Sequence, residues 1–233
     1  YNLRETCQIS NIGGDNVPRV ISDLSLLNQV SVSVLSELGY TYFKETDKWG
    51  IGDFACDYIN IGKKNIDFKI PGTLGVIQDF SVWKHSKKNQ HYPLLSIDQY
   101  LNEKNIHSIL NFLYIRLSDL SNEIIRKIQN DSTIVLFIDT CNSHGMAEQR
   151  SIFIKLIKAQ IDAPAIICRT YGNLSVSDLQ LYSSTDVGGL FIDGLGDGLC
   201  IASDKDKTTF HSAGNLNRIS FGILQATRTR ITK

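Results

Sequence analysis

The sequence predicts an α/β fold of the (β/α)8, TIM-barrel-like kind, possible irregularity being confined to its first half, with an open doubly wound sheet as the alternative. Short continuous apolar runs rich in Ile, Val, Leu and Phe recur along the chain, as expected of strands buried on both faces of a parallel sheet. In the second half each run is followed by an amphipathic stretch of helical period. The runs number eight in 233 residues, 42% of them hydrophobic, which is enough chain to bury one large core.

In order, PRVISDL (18–24) precedes the helical pattern LLNQVSVSVLSELG, and DYINI (57–61), GVIQDF (75–80) and PLLSI (93–97) supply three further strands. The stretch KHSKKNQHYP (84–93) reads as a solvated loop, and Trp49 and Trp83 as isolated packing residues. NFLYIRL (111–117) leads into DLSNEIIRKIQN, and TIVLFID (133–139) into MAEQRSIFIKLIKAQ, where Ile152, Leu156 and Ala159 share a face. PAIICR (164–169) leads into SVSDLQLYSSTD. The run GGLFID (188–193) is taken as the eighth strand, followed by AGNLNRISFGILQATRTR with its stripe of Leu216, Ile219 and Ile223. No linker divides the chain, so residues 1–233 are expected to form a single domain.

Composition narrows the function classes. With 24 basic and 24 acidic residues and no basic block, binding to nucleic acid or to a membrane surface by long-range electrostatics has little support. No apolar run approaches the ~18 residues of a membrane span, and YNLRETCQ lacks the parts of a signal peptide, so a cytoplasmic location is expected. The chain begins at Tyr1 and holds a single methionine, Met146, which suggests a fragment of a longer protein. Cys7, Cys56, Cys141, Cys168 and Cys200 are far apart. They indicate neither a disulfide framework nor a zinc ribbon, and Cys168 and Cys200 read as buried small hydrophobes.

In a barrel of this kind the active site forms at the C-terminal ends of the strands. The polar residues expected there are Asp23, Asp79, Arg116, Asp139, Arg169 and Asp193, a rim that could hold a metal or a phosphorylated substrate. The same residue types equally cap the helices that follow. His144 and Glu148 stand four residues apart but lack a further local ligand or an oriented base, so His144 reads as a loop or cap residue. The string GGLFIDGLGDGL (188–199) has G-x-G-x-G spacing, which fails the dinucleotide fingerprint. Asp193 and Asp197 would repel an anion, and a turn is expected.

Four strings carry a resemblance. VGGLFIDGLGDGL followed by SFGILQATRTRITK closely resembles the large, three-domain form of 4-hydroxy-3-methylbut-2-enyl diphosphate synthase, and HGMAEQR (144–150) and PGTLGVIQDF (71–80) resemble its bacterial members. The resemblance implies that the chain is the inserted middle domain of an oxidoreductase of the methylerythritol phosphate route to isoprenoids. The whole enzyme would reductively convert 2-C-methyl-D-erythritol 2,4-cyclodiphosphate at a 4Fe-4S cluster, with ferredoxin or flavodoxin as electron donor. The cluster motif would lie beyond Lys233, so no cofactor and no catalytic residue is expected in these 233 residues, and the partners would be the substrate barrel and the cluster domain of the same chain. A similar glycine loop closes the family's substrate barrel, with an arginine and a serine on the diphosphate side. Here Cys200 and Ala202 take those places. Two readings follow: a structural spacer that positions the substrate barrel against the cluster domain, or an independent barrel enzyme or ligand-binding regulatory module using the Asp/Arg rim.

Overall fold

The computed structural model describes residues 3–204 and 211–231; Thr232 and Lys233, the last residues of the RTRITK string, lie outside them. Eight parallel strands form the barrel: β1 (Arg19–Asp23), β4 (Tyr58–Asn60), β5 (Gly75–Asp79), β6 (His91–Leu95), β7 (Asn111–Ile115), β8 (Ile134–Ile138), β9 (Ala165–Tyr171) and β10 (Gly198–Ser203). They close in the order β1-β10-β9-β8-β7-β6-β5-β4, with β1 bonded to β4 to complete the ring. An antiparallel hairpin, β2 (Tyr40–Phe43) with β3 (Lys48–Ile51), interrupts the pattern after the first helix. The connection from β4 to β5 carries no helix, which is the irregularity expected of the first half.

Around the barrel run α1 (Val32–Glu37), α2 (Phe80–Ser86), α3 (Ile97–Asn102), α4 (Asn122–Gln129), α5 (Gly145–Lys158), α6 (Val176–Ile192) and α7 (Ala213–Ala226). Serines start most of them. Ser121, Ser175 and Ser212 each accept from a backbone N–H in the first turn that would otherwise be unpaired. The helical pattern read over LLNQVSVSVLSELG shrinks to the six residues of α1.

Two expectations need correction. GGLFID is not a strand: residues 188–192 are the last turns of α6, and the eighth strand is GLCIAS, ten residues later. A short apolar run between glycines fits a strand and a helix end equally well. The solvated loop at 84–93 is also only partly that, because His91 and Pro93 are buried within β6.

The pleat divides the apolar residues into two cores. Ile21, Tyr58, Ile77, Phe112, Val135, Phe137, Ile166, Cys168 and Cys200 fill the barrel interior, while the alternate positions pack under the helices. The barrel floor, at the N-terminal ends of the strands, is plugged by a tight turn. Ile9 and Ile12 exchange backbone hydrogen bonds at 2.9 and 3.0 Å and bury both side chains in the interior cluster. Arg4 fixes the plug by donating to the carbonyls of Ile161 and Ala163 at 2.8 and 2.9 Å.

Candidate functional site

The alternation that fills the interior also sets the rim. Above Phe112 on β7 comes Tyr114, and above Phe137 on β8 comes Asp139, 6% exposed. The Tyr114 hydroxyl donates to Asp139 Oδ2, and Arg116 donates to the same oxygen through Nε and Nη2 at 3.2 and 3.0 Å. Arg116 Nη2 also reaches the Tyr114 hydroxyl oxygen at 2.9 Å. Burial, and after it the hydrogen bond to the Asp139 carboxylate, pushes the Tyr114 hydroxyl well above the ordinary phenol range, so Tyr114 stays a donor at neutral pH.

Arg169 stands one residue beyond the interior position Cys168 and therefore points outward, beneath the helices. Its Nη2 donates to Asp186 Oδ2 at 2.8 Å, its Nη1 to the Asn142 carbonyl at 3.3 Å, and the Tyr171 hydroxyl reaches Asp186 at 2.9 Å. The guanidinium lies against the start of α5, where a Cβ on Gly145 would come within 2.0 Å of Arg169 Nη1. A side chain there would displace the guanidinium from its place between α5 and Asp186. One turn on, the fully buried Gln149 donates to the carbonyls of Ile138 and Cys168 at 3.0 and 2.8 Å, tying α5 to the upper ends of β8 and β9. The HGMAEQR string is thus the element that holds this side of the rim.

These two clusters line one open pocket of about 580 Å³, together with Thr140, Asn142 and Tyr182. Of the six rim candidates, the structure brings Arg116, Asp139 and Arg169 together and leaves three outside. Asp23 accepts from Ser25 N and Asn60 Nδ2 at 2.9 and 3.1 Å, and burial raises its carboxyl above the usual range. Asp79 is the N-cap of α2 and accepts from Ser81 N at 2.8 Å. Asp193 is a correction: it ends α6, which runs antiparallel to the strands, so it lies away from the rim and pairs with Arg150. His144 precedes α5 without a side-chain cap bond.

Sequence reasoning missed Tyr114, Tyr171 and Asp186. Tyr114 was recoverable, since it is two residues from the inward Phe112. Asp186 was not, because it lies 17 positions from its partner on α6, a helix whose extent depends on locating the eighth strand.

Among the described residues, each cation lining the pocket is matched to an anion: Arg116 to Asp139 and Arg169 to Asp186. A diphosphate would have to take a guanidinium from a carboxylate, leaving that carboxylate unpaired at the rim. The GLGDG loop offers nothing in its place. Gly194 and Gly196 adopt φ of 75° and 91°, and Asp197 accepts from Ala165 N and Thr6 Oγ1, both at 2.8 Å. It is a turn at the barrel floor, opposite the rim. Cys200 and Ala202 are buried in β10.

Among the described residues no group of three or more His, Cys, Asp or Glu is placed to hold a metal. Cys168 and Cys200 are paired in register across β9 and β10 inside the core, while Cys7, Cys56 and Cys141 lie on other segments. An iron–sulfur cluster needs about four thiolates at one place, and these residues do not fit it. Among the described residues no helix is long and apolar enough to cross a membrane.

No protein-family model matches the chain. Curated relatives do: one from Parabacteroides distasonis is 32% identical over 188 residues, covering 78% of this chain and 30% of that protein. One from Phocaeicola vulgatus is 26% identical over 235 residues, covering 99% and 33%. Both bear the name 4-hydroxy-3-methylbut-2-en-1-yl diphosphate synthase (flavodoxin). The chain is homologous to a part of that synthase. It spans about a third of the length of these synthase relatives. Among solved structures, a GH30 endoxylanase from Clostridium papyrosolvens C71 superposes with a TM-score of 0.51 at 10% identity, over 97% of this chain and 74% of that one. At that identity the likeness speaks for the barrel fold alone.

Proposed function

We propose that this barrel is a non-catalytic, inserted middle domain of a flavodoxin-dependent 4-hydroxy-3-methylbut-2-enyl diphosphate synthase, acting in isoprenoid biosynthesis in the cytoplasm. Its role is to set the distance and orientation between a substrate barrel and a cluster domain of the same polypeptide. The observation that carries this reading is the rim: its arginines are committed to Asp139 and Asp186, and its thiols are dispersed. The chemistry, the 4Fe-4S cluster and the contact with the electron donor then belong to the rest of the protein.

The test is steady-state turnover of the full-length enzyme carrying Asp139→Ala or Asp193→Ala, with thermal melts alongside. Turnover within a few-fold of the parent is expected for both. A normally melting variant that loses turnover by several hundredfold would sink the spacer reading, and if that variant is Asp139→Ala it would assign the pocket a part in binding or chemistry.

A further inference from the structure

A pocket of about 470 Å³ opens on the barrel floor, between the plug turn and the loops that enter β6 and β7. Its lining includes Ser10, Lys87, Lys88, Tyr92, His107 and Ser108, and among the described residues no aspartate or glutamate. The charged stretch after α2, which the sequence marks only as a solvated loop, supplies both lysines.

The cations here differ from those of the rim. Lys87 Nζ stands 5.5 Å from the centre of the Trp83 ring, and Lys88 Nζ donates to the Ile66 carbonyl at 2.9 Å. Among the described residues neither ammonium meets a carboxylate, whereas Lys84, one turn earlier, pairs with Glu103 at 3.9 Å. Lys84 and His85 in the last turn of α2 are basic residues in their ordinary place at the carbonyl end of a helix. Lys87 is the left-handed C-cap, at φ 38°. Glycine is the usual residue at such a cap because a side chain there is strained, and a strained residue that is kept points to work for its side chain.

Neutral donors stand beside the lysines. His107 Nδ1 accepts from the backbone N–H groups of Ile109 and Leu110 at 3.1 and 3.2 Å, which puts the ring proton on Nε2. Burial lowers the pKa of this ring, so at neutral pH it is an uncharged donor, and no described residue accepts from its Nε2. The Tyr92 hydroxyl likewise donates to none. Unmatched cations among neutral donors, with no acid on the wall, make a site whose field draws an anion.

We propose that this floor pocket binds a small phosphorylated molecule, with its phosphate oxygens on Lys87, Lys88, the His107 Nε2–H and the Tyr92 hydroxyl. Its volume exceeds that of a bare phosphate and suits a metabolite, and two ammonium groups favour a diphosphate over a monophosphate. The inference goes beyond the spacer reading and does not depend on it, since the pocket lies at the opposite end of the barrel from Arg116 and Asp139.

The test is calorimetric titration of this chain, whose barrel closes on its own residues, with inorganic pyrophosphate and with inorganic phosphate at constant ionic strength. Pyrophosphate should bind with Kd below about 1 mM and more tightly than phosphate. Lys87→Gly removes the cation and suits the left-handed cap, so it should raise Kd about tenfold while leaving the melting temperature at or above the parent's. Tyr92→Phe should raise Kd roughly threefold. Acetylation read by peptide mass spectrometry places the ligand: pyrophosphate should slow the modification of Lys87 and Lys88 and leave the exposed Lys44 and Lys155 unchanged. The absence of binding overturns the proposal, as does a Kd that Lys87→Gly leaves unchanged. Slowing shared equally by Lys44 and Lys155 also overturns it, since the anion then only screens the surface. Loss of turnover in the rim variants would sink the spacer reading and leave these results standing.

Discussion

Gln149 shows how one side chain can hold two layers together. Its amide supplies hydrogen bonds to carbonyls at the upper ends of two adjacent strands, and both carbonyls lie where water does not reach. Gln149→Leu keeps the volume and removes both donors, each orphaned carbonyl costing about 1–3 kcal/mol. Thermal melts of the variant should therefore fall by roughly 5–15 °C. Asp23 makes the opposite case. Its carboxyl is raised by burial, the hydrogen bonds from Ser25 and Asn60 and the Lys64 charge only partly opposing the shift. A raised carboxyl favours folding below the unfolded value, near pH 4, and loses that contribution as pH rises through the folded value. Asp23→Asn retains an acceptor for both hydrogen bonds, which use the same oxygen. The melting temperature of Asp23→Asn relative to the parent should rise between about pH 4 and pH 7, and a difference that stays flat over that range would refute the assignment.

At the level of elements, seven of the eight barrel strands were legible, because a strand buried on both faces leaves a compact apolar run that helices on the surface do not. The eighth was not. In GGLFID, two weak helix formers stand beside residues of strand character, yet the pair lies inside α6, where Gly188 and Gly189 have only Thr227 and the Met146 sulfur near their absent side chains. Tertiary packing overrode local propensity. That single displacement carried Asp193 from the rim to the far end of a helix. Of the rim itself, the strand ends were readable but the pairings were not, since Arg169 with Asp186 is fixed by how α6 crosses β9. Asp79 shows the more ordinary use of such a residue. As the N-cap of α2 it should cost about 1 kcal/mol when changed to Ala and far less when changed to Asn, measurable in urea as a shift of midpoint without a change of slope.

For the molecule as a whole, the barrel is closed at its floor by residues from opposite ends of the sequence. Thr6 bonds to Asp197 across 191 positions, and β1 pairs with β10 in register from Arg19 with Gly198. Ile9→Ala with Ile12→Ala empties the plug, and each truncation should cost about 2–5 kcal/mol, enough to lower the denaturation midpoint well beyond the effect of any cap. The same latch has a consequence for synthesis. Within this domain Ile9, Ile12 and β1 are made before the rest, and although β4 can pair with one edge of β1 soon after, the partner for its other edge arrives only with β10, so neither the seam nor the floor can close until β10 is out. Until then β1 shows an unpaired edge and the interior positions of the first strands are uncovered, the condition in which a nascent chain is most open to holding by chaperones or to pairing with a neighbour on the same message.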